Sequence, residues 1–468
     1  VAREIQGMIV LVQPMYSKQE LNADSTYIIY TQLIRGMLEV RPSWHFYIIF
    51  PDDKSGYKYE PDGFFRLPNV TRIPQRISPR KLANAIQFDA MWWDKLYRHL
   101  AFDVVWANLI EAAGPIKFAG QAAYGTYSRP IIIGAHNYVM HDSLPYAYDA
   151  LEHVAIAQVM GAIHSDLHVF NSDYCKLMFF ENAARYLNNT MLDKLHSTAR
   201  RIDMGTLEES LQPIKRNNPV PIIAYNHRLQ AMKNYDKTFK LLDRLYQSGT
   251  KFEVWYINNA AEHSSKILNY EFVKMKLCAT RQDYLATLRQ CDLNVSNSQI
   301  ETFGIAYVES MAVGQPIVVP LGSTFPEITD KANNNYPYLF RNEGEQAEML
   351  KTLLTDKDER DKWGGILSRY VRKAYNNRLW AQRYAALFES VDVGRIPTED
   401  DCRAMVLSKL KDYNGATVKE ALARIFHAPI NGRQPFSSQS LTPVKFIRLA
   451  RELGARISVE EGQERIRL

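Results

Sequence analysis

Short apolar runs that stop at turn residues, each followed by an amphipathic helical pattern, set the narrowest limit on what this chain can fold into. Met8 to Val12 is such a run, ended by Gln13-Pro14. Ile28, Ile29, Leu33, Met37 and Leu38 then recur at helical spacing between Ser25 and Val40, and Trp44 to Phe50 follows before Pro51-Asp52-Asp53. Runs this uniformly apolar suit strands buried on both faces, which a parallel sheet covered by helices provides. The βαβ order predicts an open α/β sheet.

The pattern repeats with strands at Val104 to Ala107, Pro130 to Gly134 and Leu167 to Phe170, and helices around Met91 to Leu100 and Leu151 to Ile163. A polar stretch, Lys215-Arg216-Asn217-Asn218-Pro219, precedes a second series: strands at Val220 to Tyr225, Lys251 to Ile257, Leu293 to Ser296 and Pro316 to Pro320, with helices at Asp236 to Gln247, Gln282 to Gln290 and Ile305 to Val313. One or two amphipathic helices are expected over Asp356 to Ser390. A chain of 468 residues is too long for one hydrophobic core. Two doubly wound, Rossmann-like lobes are expected over residues 1–205 and 206–392, with a cleft between them.

After Pro397 the character changes. Short helices at Arg403 to Leu410, Val418 to Phe426 and Pro443 to Leu453, and a hairpin made by Arg456 to Val459 and Arg465 to Leu468 around Glu460-Glu461-Gly462, predict a small basic α+β module over residues 396–468, winged-helix-like in its order of elements.

Composition excludes several classes. With 46% hydrophobic and 23% charged residues the chain is neither disordered nor collagenous. No run of about 18 apolar residues occurs, and the first residues lack a signal-peptide pattern, so a cytoplasmic protein is expected. Cys175, Cys278, Cys291 and Cys402 form no C-x-x-C pair, against a disulfide framework or zinc knuckle. The net charge of +6 suits an anionic partner, leaving nucleotide, nucleic acid and acidic membrane open.

The richest stretch runs from Ser296 to Pro320, where a strand ends in Asn297-Ser298-Gln299-Ile300-Glu301-Thr302-Phe303-Gly304 and opens a helix. Ligands of open α/β sheets gather at the carboxyl ends of strands, and amides at a helix N-terminus suit a diphosphate. Thr302, Phe303 and Gly304 are therefore candidate phosphate-binding residues. Glu309, one to two turns into the helix, is a candidate acceptor for ribose hydroxyls, and Glu301 for a sugar. Either glutamate alone reads better as a solvent-facing acidic residue at a helix start, favourable to the dipole.

The joint pattern, Glu-x7-Glu followed by Ala312-Val313-Gly314-Gln315-Pro316, resembles the donor-binding signature of retaining glycosyltransferases of the GT-B fold, family 4 in particular. The resemblance extends to Arg228 and Lys233 in Asn226-His227-Arg228-Leu229-Gln230-Ala231-Met232-Lys233, which match the family's clamp on the donor diphosphate. Two fixed cations there would offset the charge that grows on a nucleotide leaving group. His136 follows the strand Ile131-Ile132-Ile133-Gly134, where the family often has a histidine near the transferred sugar. Pro14-Met15-Tyr16-Ser17 lacks the Gly-Gly pair usual after the first strand, which leaves the approach of phosphate to that loop open. What the resemblance implies is a retaining, metal-independent glycosyltransferase: catalytic roles for His136, Glu301, Arg228 and Lys233, a UDP-sugar as co-substrate, and no cofactor. No D-x-D or H-x-x-x-H constellation stands in a suitable loop. Glu327 and the Arg378-Leu379-Trp380-Ala381 helix fit the family's closing elements, as bracing.

For the acceptor, Asn226-His227-Arg228 with Lys233-Asn234 is similar to a branch of the family that glycosylates modified nucleosides in nucleic acid. The terminal module adds Lys445, Arg448 and Arg451 at helical spacing beside a basic hairpin, candidates to track phosphates, diluted by Glu452, Glu460, Glu461 and Glu464. The expected acceptor is a hydroxymethylated pyrimidine of DNA, as in bacteriophage DNA modification, placing the protein in the host cytoplasm if phage-encoded. Base flipping would then call on aromatics such as Trp92, Trp93, Tyr138, Tyr146 and Tyr148. A lipid or saccharide acceptor at an anionic membrane, and an inactive nucleic-acid-binding module of the same fold, remain alternatives.

Overall fold

The computed structural model describes residues 7–14, 16, 21, 25–59, 61–77, 89–100, 102–108, 110–124, 130–134, 151–205, 211–229, 233–258, 266–391, 416–418, 420–421, 443–460 and 463–467. Two parallel sheets organise them. The first contains β1 (Ile9–Gln13), β2 (His45–Pro51), β3 (Val70–Gln75), β4 (Val104–Ala107), β5 (Ile131–Gly134), β6 (Leu167–Phe170) and β7 (Ala199–Arg201), in the order β3-β2-β1-β4-β5-β6-β7. The second contains β8 (Ile222–Tyr225), β9 (Glu253–Asn258), β10 (Val273–Leu277), β11 (Leu293–Val295), β12 (Ile317–Pro320) and β13 (Leu339–Phe340), in the order β10-β9-β8-β11-β12-β13. In both sheets the strand order reverses beside the first strand, between β1 and β4 and between β8 and β11. Such switch points open a crevice at the carboxyl ends of the strands.

The apolar runs form strands because both faces are covered: every residue of β4, β5, β6 and β8 is buried. The Ser25–Val40 helix buries Ile29, Tyr30, Leu33, Ile34 and Met37 against the first sheet. The region expected to hold one or two helices contains Lys357–Ala374 and Asn377–Ser390, preceded by an unanticipated helix at Glu343–Thr355.

The Asn377–Ser390 helix returns from the second lobe to the first. Its Tyr384 and Phe388 rings meet Trp106 at 5.8 and 6.0 Å, Phe388 also meets Trp44, and Glu389 takes a two-pronged ion pair from Arg41. Gly36 lets the two helices touch, since a Cβ there would lie 2.9 Å from that of Ala381. Truncating Phe388 to alanine in such a seam costs about 3–5 kcal/mol. One hydrophobic core consequently runs through both lobes and fixes the cleft's walls.

Of the terminal module, the structure describes the Pro443–Glu452 helix and the antiparallel hairpin β14 (Arg456–Glu460) and β15 (Gln463–Arg467), packed through Phe446, Leu449, Ala450, Ala455 and Ile466. The helix expected at Arg403 to Leu410 and most of Val418 to Phe426 lie outside the described residues. Trp93, considered above as a stacking platform, is buried against Tyr97 in the first core and offers no open face. Tyr138, Tyr146 and Tyr148 lie outside the described residues.

Candidate active site

At the switch point of the second sheet, β8 ends at Tyr225 and releases Asn226-His227-Arg228, while β11 ends at Val295 and releases the loop to Gly304. Both segments face a cleft of about 390 Å³ whose opposite wall is Ile28, Ile29 and Gln32 of the first lobe. Lys233 reaches it from the turn before the Tyr235–Gln247 helix. Asn234, at that helix's N-cap, is left-handed (φ 46°), a conformation asparagine tolerates, and its side chain donates to the Asn297 carbonyl at 3.2 Å.

Lys233 forms an ion pair with the Glu301 carboxylate. The backbone of Glu301 is gripped by Ser323, whose Oγ accepts from the Glu301 amide at 2.8 Å and donates to its carbonyl at 2.9 Å. Gly304 (φ 84°) caps the Ile305–Ala312 helix without a side-chain cap, and a Cβ there would lie 2.9 Å from the Tyr307 ring. Glycine is required by both angle and space. Ile305 and Ala306 line the cleft, and their amides at this helix start receive no side-chain cap from Gly304. Phe303 points the other way, buried 5.3 Å from Tyr375, and Thr302 gives its carbonyl to Ser172 of the first lobe at 2.6 Å.

Glu309 is almost fully buried, with both carboxylate oxygens engaged: Arg281 pairs with one and the Tyr284 hydroxyl donates to the other at 2.7 Å. Behind Tyr284, Asn226 donates to its hydroxyl at 2.8 Å, and Asn294 donates to Asn226 at 2.9 Å. A carboxylate with two partners keeps lone pairs for further donors. Sequence reasoning missed Arg281, Tyr284 and His227. The only local signal was the cap Thr280 at the start of the Arg281–Gln290 helix, which puts Arg281 and Tyr284 on one helical face. His227 stacks on Tyr307 with centroids 4.3 Å apart, and burial pushes its imidazole down to about 3, so it is neutral at physiological pH.

The candidate residues Arg228, Lys233, Glu301, Gly304 and Glu309 thus line one cleft. Two cations are matched by two carboxylates, and the exposed Arg228 has no acidic partner among the described residues, leaving one positive charge in surplus beside two open amides. His136 lies outside the described residues. Lys445, Arg448 and Arg451 sit on the Pro443–Glu452 helix, where Arg448 pairs with Glu452 at 3.9 Å and Arg451 is exposed.

Residues 208–366 match the family model described as Glycosyl transferases group 1. That span carries every second-lobe candidate named above. Among solved structures, the fold is similar to that of a sucrose-phosphate synthase from Thermosynechococcus elongatus (13% identity, 82% of this chain and 98% of that one, TM-score 0.63). It is similar also to that of HepE of Anabaena in complex with UDP and glucose (14% identity, 82% and 100%, TM-score 0.59) and with UDP-glucose (14%, 82% and 100%, TM-score 0.58). At these identities the likeness is one of fold. No curated protein matches the sequence.

Proposed function

We propose that this chain is a retaining glycosyltransferase that moves a sugar from a UDP-sugar to a hydroxyl acceptor, with residues 206–392 as the donor lobe and 1–205 as the acceptor lobe. One observation carries this reading. In a lobe whose residues 208–366 match the group 1 glycosyltransferase model, an arginine with no acidic partner among the described residues and two uncapped helix amides meet two charge-compensated carboxylates at a switch-point cleft. The diphosphate takes Arg228, Lys233 and the Ile305 and Ala306 amides; Glu309 accepts from the ribose and Glu301 from the sugar. UDP is the nucleotide in the HepE complexes.

In the transfer, the acceptor oxygen bonds to the anomeric carbon on the face from which the diphosphate departs. The bond from that carbon to the diphosphate oxygen breaks, and the acceptor's proton passes to the departing diphosphate. Arg228, Lys233 and the helix dipole stabilise the charge that develops there. His136 is proposed to donate a hydrogen bond to the sugar. Side-chain cations carry the charge compensation, so the reaction is expected to be metal-independent.

The acceptor we propose is a hydroxymethylated pyrimidine in DNA. The hairpin register supports it: Arg456 stands opposite Arg467 and Ser458 opposite Arg465, so three arginines share one face while Ile457 and Ile466 occupy the other, against the module's core. The Pro443–Glu452 helix packs Phe446, Leu449 and Ala450 on the isoleucine side, so the hairpin's arginine face is turned away from it. This is the face we propose follows phosphates, with Lys445, Arg448 and Arg451 proposed as a second, separate set of cations on the helix. The test offers a panel of nucleotide sugars with hydroxymethylated and plain DNA and reads transfer by mass. Sugar on hydroxymethylated DNA alone supports the proposal. Transfer only to lipid or saccharide acceptors overturns the acceptor, and absence of UDP binding overturns the donor site.

A further inference from the structure

The loop from Ser298 to Gly304 belongs to the second lobe, yet it is held from the first. Ser172 caps the Asp173–Ala183 helix, its Oγ accepting from the Cys175 amide at 3.0 Å. The same hydroxyl spends its proton across the lobe boundary, donating to the Thr302 carbonyl at 2.6 Å. The next two amides of that helix, Asp173 and Tyr174, donate to the two oxygens of Glu327, at 2.9 and 2.7 Å. Arg201 lies 3.4 Å from Glu327 and also pairs with Asp173 and Asp203. A second-lobe carboxylate thereby occupies the positive end of a first-lobe helix, where backbone amides and dipole favour an anion.

Glu327 lies four residues beyond Ser323, the residue whose hydroxyl grips both backbone groups of Glu301. Ser323 holds its left-handed φ of 54° in the same short segment. The loop is thus fixed on one side by Ser323 within its own lobe and on the other by Ser172 from across the boundary. Parting the lobes would break the Ser172 bond and both Glu327 bonds, leaving a desolvated carboxylate and a bare helix start.

We propose that Ser172 and Glu327 are positioning residues that couple closure of the lobes to the shape of the donor loop. The loop's amides and Glu301 reach their working arrangement only when the first turn of the Asp173–Ala183 helix is seated on it. This rests on reading that loop as the donor's site, but its structural half can be measured without activity.

The test uses the full chain and three variants. Ser172→Thr keeps both the cap and the donated bond. Ser172→Asp keeps the cap, since aspartate is a good N-cap, but an ionised carboxylate has no proton for the Thr302 carbonyl. Glu327→Gln keeps the shape and removes the charge. In Ser172→Asp and Glu327→Gln, backbone hydrogen exchange over residues 300–305 is expected to rise about fivefold, the factor one net hydrogen bond represents. kcat and calorimetric affinity for UDP should each fall by a similar factor, since the same helix start is proposed to hold the diphosphate; Ser172→Thr should behave as the parent. Equal exchange at the loop in Ser172→Asp and Ser172→Thr, with only the melting temperature lowered, would show a merely structural cap and overturn the coupling. Failure of the parent chain to bind UDP would remove the donor reading, while the exchange result still stands or falls by itself.

Discussion

Arg281 and Glu309 form an ion pair in which the glutamate side chain is 3% exposed and the arginine side chain 30% exposed. The arginine reaches the cleft from the first turn of one helix and the glutamate from the middle of another, so the pair ties the Arg281–Gln290 and Ile305–Ala312 helices together over the mouth of the switch point. It also keeps a buried anion beside the proposed diphosphate site from repelling that ligand.

Removing Arg281 should therefore act on stability and on binding together. An unpaired buried charge costs about 3–5 kcal/mol, and partial exposure of Arg281 places Arg281→Met near the lower bound. Tyr284→Phe, which deletes one hydrogen bond to the same carboxylate, should cost about 1–2 kcal/mol. Urea denaturation measures both; equal stabilities for the two variants would argue that the pair is solvated.

Arg228→Ala should weaken UDP binding by about tenfold or more and leave uridine binding unchanged, because Arg228 is proposed to meet only the diphosphate. Calorimetry with the two ligands separates the outcomes, and a parallel loss for uridine would move Arg228 to another part of the donor. Lys233→Ala should lower kcat by about a hundredfold, since it also strands Glu301 without its cation.

Gly304→Ala combines a left-handed backbone with a Cβ 2.9 Å from the Tyr307 ring. The conformational term alone is about 1–2 kcal/mol. A lowered melting temperature accompanied by weaker UDP binding is expected; a thermally neutral variant would mean that this turn relaxes without disturbing the helix start.

His168 is buried with no hydrogen-bond partner for either ring nitrogen among the described residues, and burial pushes it down to about 3. Its folded form refuses a proton that the unfolded chain accepts below about 6.5. Stability should fall as pH drops from 6.5 toward 3, by about 1.4 kcal/mol per pH unit for each such histidine. Glu327, whose carboxyl burial pushes up, acts in the opposite sense near its own range. Urea midpoints against pH should show a shallower acid slope in His168→Leu than in the parent; identical slopes would assign the acid sensitivity elsewhere.

Every strand inside the two sheets was legible in the sequence, and the strands that were not are the sheet edges, β3, β7, β10 and β13. The reason is physical. An interior strand is covered on both faces and paired on both sides, so it must be apolar throughout. β3 leaves Thr71, Arg72 and Pro74 exposed, and β10 carries Lys274 and Lys276, since an edge strand needs no unbroken apolar run.

The candidate site divides in the same way. Glu301, Gly304 and Glu309 are candidates from the strand-loop-helix pattern, and Arg228 and Lys233 from the family resemblance, because each is tied to its own element. The partners that hold them cannot be found in this way: Arg281 stands 28 residues from Glu309, and Asp173 stands 154 from Glu327. The sequence by itself determined two parallel sheets, the switch-point loop and the kinds of charge gathered there, because these follow from local periodicity and chain order. Only the tertiary structure decided which cations are already paired, that Arg228 has no acidic partner among the described residues, and that the first lobe grips the Ser298–Gly304 loop, because those contacts exist only once the lobes pack across their shared core.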